Sequence, residues 1–250
     1  MSLHRKAAIV TGASRGIGLE TARQMAKAGA RVYGVARSIP DPMPDNVAML
    51  TADMRIRSQV DNVIQRVLNE AGHVDILVSN AGVEIVKPFE QVTNEEYDVM
   101  LDTNLKGAFH LIQAALPAMR RQKSGHIIIV NSVAGIRGFA EDAVYCASKY
   151  GLTGLADALD EELRGQGIRV TGIHPGATNT PLAYDSWAPP DDPRRPYFLQ
   201  PDDVAEAVVY AASQPARVVI RQIIVQPMIE PPYSDFLPVE IIQEFSPEDD

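Results

Sequence analysis

The stretch Ala7-Ala8-Ile9-Val10-Thr11-Gly12-Ala13-Ser14-Arg15-Gly16-Ile17-Gly18 carries the reading from which the fold follows. Ala7–Thr11 is uncharged and free of breakers, as expected of a strand buried on both faces. From Gly16 the apolar spacing turns helical and runs to residue 28, with Gly29 placed to end the helix. Glycine at this handover admits positive φ and lets backbone N–H groups approach a phosphate. The helix N-terminus adds partial positive charge at the same place. Three glycines at one turn favour a phosphate cradle over a plain connection.

Outward from that turn the alternation continues. Arg31–Ala36 and Val47–Thr51 read as strands, the second after a link carrying Pro40, Pro42 and Pro44. Residues 56–71 form a helical pattern with Val60, Val63, Ile64, Val67 and Leu68 on one face, stopped by Gly72. Ile76–Ser79 and residues 127–130, 169–173 and 222–225 read as further strands. Helices are predicted over 95–121, with Gly107 and Pro117 inside it, and over 144–163 and 202–212. Wholly apolar strands alternating with helices imply an α/β fold. Its architecture is a doubly wound, Rossmann-type parallel sheet in a single domain, with helices on both faces. That domain spans residues 1–228. Residues 179–200, rich in Pro, Asp, Arg and aromatics, are too long for an ordinary connection and are expected to form a lid or binding loop. Residues 229–250 read as an acidic, proline-containing tail, extended or partly disordered.

The chain has 250 residues, 46% of them hydrophobic, enough for a full core. A formal net charge of -9 argues against nucleic acid and anionic membrane as partners. The single cysteine, Cys146, excludes an intrachain disulfide and fits a reducing compartment; beside Tyr145 it reads as a small buried residue. The five histidines show none of the spacings a zinc site needs, so no metal is expected. No amino-terminal apolar region and no run of membrane-spanning length is present, and the expected location is cytoplasmic.

The chemistry converges on residues 132–149. Ser132 follows the strand 127–130, and Tyr145 and Lys149 stand four residues apart on the next helix, one turn above each other. A hydroxyl at a strand's carboxyl end would thus meet a phenol and an ammonium. About twenty residues past the glycine turn, a site for NAD would carry an acid for the ribose 2′-hydroxyl. Here the second strand ends Val35-Ala36-Arg37-Ser38, and Arg37 with Arg15 could instead take a 2′-phosphate. NADP(H) is therefore the expected cofactor, with NAD(H) left open.

With these motifs placed, the chain resembles a short-chain dehydrogenase/reductase of about 250 residues over residues 5–228. The motifs fall in order: Thr11-Gly12-x-x-x-Gly16-x-Gly18, Asp53, Asn80-Ala81-Gly82, Asn104, Ser132, Tyr145/Lys149 and Pro175-Gly176. The resemblance implies an oxidoreductase that interconverts a carbonyl and a secondary alcohol. Tyr145 would act as general acid/base, Lys149 as its electrostatic partner, Ser132 as holder of the substrate oxygen and Asn104 as anchor of a proton-relay water. It further implies a cofactor cradle of Gly12, Ser14, Arg15, Gly16, Ile17 and Gly18. Asp53 and Met54 would lie at the adenine, and Asn80, Ala81 and Gly82 beneath the ribose. Tyr145 and Lys149 would touch the cofactor, with Pro175, Gly176, Thr178 and Thr180 near the nicotinamide.

The energies are compatible. A free tyrosine titrates near ~10, so action near neutrality asks for about 4 kcal/mol. One ammonium at ~4 Å and an effective dielectric of ~20 supplies about that much. In the segment 179–200, Tyr184, Trp187, Tyr197 and Phe198 could close over an apolar substrate. Arg194 and Arg195 could read a carboxylate or merely balance Asp191 and Asp192. Phe139, Glu141 and Glu84 are expected to line the same cleft. The ending Ile223-Ile-Val-Gln-Pro227 lacks a Gly-rich close, and so resembles a branch acting on small ketones, 3-hydroxy acids and hydroxy amino acids. Ala147, Gly151, Gly154 and Ala158 form a small-residue stripe that suits close helix approach, and the resemblance implies a homo-oligomer, a dimer or homotetramer. Two other readings are an NAD-linked dehydrogenase of the same family and a catalytically silent nucleotide-binding protein.

Overall fold

Residues along a strand point alternately to opposite faces, so a strand apolar at every position must be covered on both sides. A computed structural model of the chain, describing residues 2–189, 191–192 and 194–228, has this arrangement; the expected tail, 229–250, lies outside the described residues. Strands β1 (Ala7–Thr11), β2 (Arg31–Ala36), β3 (Val47–Thr51), β4 (Ile76–Ser79), β5 (Gly125–Val130), β6 (Ile168–Pro175) and β7 (Gln222–Val225) form one sheet. Its order is β3-β2-β1-β4-β5-β6-β7, and every pair is parallel.

Helices α2 (Arg57–Ala71), α4 (Gly107–Gln122) and α5 (Ala143–Leu163) cover one face, where Ile127 and Ile129 pack against Ile64, Leu111 and Leu152. Helices α1 (Gly16–Lys27) and α7 (Pro201–Ala212) cover the other, where Ile128 and Val130 join Met25, Val204 and Val208. Gly29, at φ 94°, and Gly72, at φ 80°, end α1 and α2 in the left-handed region, as the sequence predicts.

One expectation needs correction. The helical pattern over 95–121 is not one regular helix. Thr93 caps α3 (Asn94–Leu101) in a reciprocal capping box with Glu96, and a π-helical turn at Asp102–Lys106 then precedes α4. At this wide turn the Asn104 side-chain amide bonds both backbone groups of Val83, and Gly107 packs so close to Met54 that a Cβ would lie 3.0 Å away. Residues 179–200, expected to form a lid or binding loop, have local helical structure. They contain α6 (Pro181–Ser186), with Thr180 as N-cap and proline at the first helical position, and a 3-10 turn at Arg195–Tyr197. Ala177, Ala183, Ala188 and Phe198 give this segment a small core of its own.

The chain runs outward from β1 to β3, then returns beside β1 to form β4. At this reversal the carboxyl ends of β1 and β4 open a crevice. Thr11 ties its two lips together. Its hydroxyl donates to the Val78 carbonyl at 3.3 Å and accepts from the N–H groups of Asn80 and Ala81 at 3.0 and 3.1 Å. The Asn80 amide in turn donates to the Thr11 carbonyl at 2.9 Å. Thr11→Val keeps the shape but leaves two N–H groups without their acceptor. The expected cost is about 1–3 kcal/mol in urea unfolding.

Candidate active site

All but two of the residues that the family resemblance assigns to catalysis and the cofactor line one cleft over the carboxyl edge of the sheet. The exceptions, Gly18 and Asn104, sit directly behind it. Gly12 and Gly16 take φ of 68° and 57°, a region open to glycine at little cost. A Cβ on Gly18 would lie 2.4 Å from the Gly12 carbonyl oxygen and from the Asn80 amide, so Gly18 is required for packing the turn, not for lining it. The first turn of α1 carries no acidic side chain, which leaves its N–H groups available to an anion.

Three guanidinium groups lie on the β1–β3 side of the cleft. Arg37 follows β2. Arg15 forms an exposed ion pair with Asp185 of α6, 3.1 Å apart, a contact worth little in water. Arg55 was not anticipated. It grips both oxygens of Asp53, with bonds of 2.6–3.0 Å, and holds that carboxyl below the usual range. The signal was local, an Asp and an Arg two residues apart at the end of β3, but nothing in a sequence says that they pair.

On the β4–β6 side, Ser132 follows β5, and its Oγ accepts from the Ala134 N–H at 3.1 Å. Tyr145 and Lys149 rise from the first turns of α5, with the Lys149 Nζ 5.4 Å from the centre of the Tyr145 ring. Lys149 Nζ donates to the carbonyl of Asn131 at 3.2 Å. Asn131, which sequence reading passed over, also fixes α5 by donating to the Lys149 carbonyl at 3.1 Å and to Thr153 Oγ1 at 2.8 Å. Burial pulls Lys149 down to about 8, against an upward pull from Glu84 and Asp142. Cys146 is buried and its thiol is pushed up by that burial, which argues against a nucleophile.

Asn104, buried in the π-helical turn, bonds both backbone groups of Val83 at 2.8 and 2.9 Å and also donates to Ser148 Oγ. It therefore holds the chain between Gly82 and Glu84. Thr178 donates to the Gly176 carbonyl at 2.9 Å, and Thr180 is occupied as the cap of α6.

Glu84 lines the cleft as expected, whereas Phe139 and Glu141 do not: Phe139 packs on the Met100–Tyr145 cluster and Glu141 is exposed. Arg194 and Arg195 also stand away from the cleft lining. Arg194 pairs with Asp192, and Arg195 bonds Asn179 and stacks 3.6 Å from the centre of the Tyr184 ring. Their reading as carboxylate binders is not supported, because each is engaged inside the α6 segment. Among the described residues no group of side chains could hold a metal ion, and no helix is long and apolar enough to cross a membrane.

The chain matches the family model described as short chain dehydrogenase over residues 6–190. It is 34% identical over 229 residues to an uncharacterized oxidoreductase of Staphylococcus epidermidis, covering 89% of this chain and 97% of that protein. It is 34% identical over 242 residues to a sepiapterin reductase of Chlorobaculum tepidum, covering 88% and 95%. Among solved structures, a metagenomic short-chain oxidoreductase in complex with NADP superposes with a TM-score of 0.77 at 33% identity, covering 92% of this chain and all of that one.

The site also stores a titration cost. Asp142, just before α5, is buried, and its Oδ1 meets no hydrogen-bond partner. Burial and the nearby Glu84 push its carboxyl from 3.8 up to about 8. Between those values the folded chain keeps a proton that the unfolded chain releases, so this group lowers stability as pH rises. Asp142→Asn is expected to gain stability over the wild type at about pH 7.5 and to lose most of that advantage near pH 5, as thermal unfolding would show.

Proposed function

Because the chain belongs to the short-chain dehydrogenase/reductase family and is a dehydrogenase/reductase, we propose that it interconverts a carbonyl and a secondary alcohol with NADP(H), using Tyr145 as general acid/base. The observation that carries this reading is the convergence of Ser132, Tyr145 and Lys149 in the cleft that the glycine turn enters. A dinucleotide fits the residues present: a left-handed glycine turn at a helix start, an uncharged floor at Ala81 and Gly82, and guanidinium groups at one end. When bound, the nicotinamide supplies or accepts the hydride.

The chain's own residues manage the proton. In the reducing direction Ser132 Oγ steadies the carbonyl oxygen, and the Tyr145 hydroxyl gives its proton to the oxygen as negative charge develops there. The buried ammonium of Lys149 favours the resulting phenolate, and low local polarity strengthens that effect. Lys149 also stands where it can bond ribose hydroxyls. Asn104 acts through position, by holding Val83 and, with it, the floor at Gly82. Substrates of the small ketone, 3-hydroxy acid or hydroxy amino acid kind suit the sequence ending and the short α6 cover.

Cofactor choice rests on Arg37 in the cleft lining, on the lack of an acid at the end of β2, and on the exposed Arg15–Asp185 pair, which a phosphate can displace. The NADP complex of a structural relative agrees with it. Assembly as a homodimer or homotetramer belongs to the same reading, supported by the exposed small residues Ala147, Gly154 and Ala158 on α5.

Fluorescence titration is expected to show NADPH bound about tenfold or more tighter than NADH, from one or two charge-assisted bonds. Equal affinities would defeat the phosphate assignment. Tyr145→Phe is expected to abolish turnover while NADPH binding stays close to wild type; substantial remaining turnover would remove Tyr145 from its role.

A further inference from the structure

Among the described residues two acids line the cleft, and they are treated differently. Asp53 is matched at both oxygens by Arg55. Glu84 meets no guanidinium among the described residues. Its Oε2 accepts from Ser186 Oγ at 3.0 Å and from Trp187 Nε1 at 3.2 Å, both on the α6 segment that covers the cleft. Its Oε1 accepts no hydrogen bond from any described residue.

The charges around Glu84 do not balance. Among the described residues Lys149, on α5, is the only basic group lining the cleft on the β4–β6 side, and it already donates to the Asn131 carbonyl. Against it stand Glu84 and the buried Asp142, whose Oδ1 has no donor. Two carboxyls and one ammonium leave this end of the cleft one positive charge short. Burial answers the shortage with protons, pushing Glu84 up to about 7 and Asp142 to about 8. The other basic groups of the cleft, Arg15, Arg37 and Arg55, follow β1, β2 and β3, on the opposite side from Ser132 and Tyr145. Arg194 and Arg195 are spent on Asp192 and Asn179.

We propose that Glu84 determines substrate specificity: it receives a protonated nitrogen, an ammonium or amidinium, that the substrate carries near its reacting carbonyl, and it excludes substrates bearing a carboxylate there. This rests on the carbonyl–alcohol reading above and narrows it, away from hydroxy acids and toward amino ketones and amino alcohols. A cationic nitrogen would give Oε1 a donor and take the place of the proton that burial otherwise puts on Glu84. Since Oε2 is held by Ser186 and Trp187, the same contact would tie the substrate to the α6 cover. A carboxylate would meet a like charge with no arginine to offset it.

The test uses the full-length enzyme with NADPH and two sets of ketones that differ only in one end group. The short set is aminoacetone, butan-2-one and acetoacetate. The long set is 4-(aminomethyl)acetophenone, 4-ethylacetophenone and (4-acetylphenyl)acetate. In at least one set, kcat/KM is expected to fall from ammonium to methyl to carboxylate, with about tenfold or more between the first two. Glu84→Gln keeps an oxygen for Ser186 and Trp187 but loses the charge, and should bring the ammonium-to-methyl ratio close to one. Glu84→Asp keeps the charge and should keep the order. The assignment is overturned if the methyl ketones match the ammonium ketones in both sets, or if the preference survives Glu84→Gln. Either result, with the neutral ketones turned over, leaves the carbonyl–alcohol reading standing and confines Glu84 to latching α6. No turnover of any ketone would overturn that reading and this assignment together.

Discussion

The ammonium of Lys149, buried and bonded to the Asn131 carbonyl at the end of β5, is the constraint on which the cleft depends. A buried cation is costly unless its surroundings offset the lost hydration. Here the offset comes from a carbonyl and two nearby acids, and it is incomplete, so the group is held down to about 8. The arrangement joins strand to helix: Asn131 accepts from the ammonium and donates to the backbone of the same lysine. Tyr145, one turn earlier on α5, is thereby set against the strand end that presents Ser132.

The remainder of the fold brings other segments to that point without adding charge. Thr11 closes β1 onto β4 through neutral hydrogen bonds, and Asn104 pins Val83 from the far side of the chain. Both residues satisfy backbone groups that would otherwise be buried without partners, where an unmade bond costs more than a made one gains. Asn104 makes these contacts with its side-chain amide from within the π-helical turn at Asp102–Lys106, whose own backbone still bonds along the chain, Gly107 N–H to the Asp102 carbonyl. Stability and site geometry are thus served by the same contacts.

The cleft is divided electrically as well as spatially. Guanidinium groups lie after β1, β2 and β3, while Glu84 lines the cleft after β4 and the buried Asp142 stands just before α5. Such a division suits a ligand that is anionic at one end and meets a second, cationic molecule at the other. It follows from the winding of the sheet, because each strand end contributes its own loop in spatial order.

The cleft positions Asp53, Met54, Asn80 to Gly82 and Pro175 to Thr180 came from the family resemblance. The alternation of strand and helix, the glycine turn and the Tyr145–Lys149 pair came from the amino-acid sequence alone. These depend on local periodicity and on spacing within one element, which the chain itself carries. The sequence also pointed to Glu84, but not to its latch on Ser186 and Trp187, about a hundred residues away. It did not reveal the grip of Arg55 on Asp53, the orphaned Asp142, the role of Asn131 or the break of the 95–121 pattern into two helices. The grip of Arg55 on Asp53 is a local choice among possible partners; the others are decided only when the sheet order brings distant segments within a few ångströms. Burial then sets which charges are matched and which are left over, and burial is a property of the packed whole.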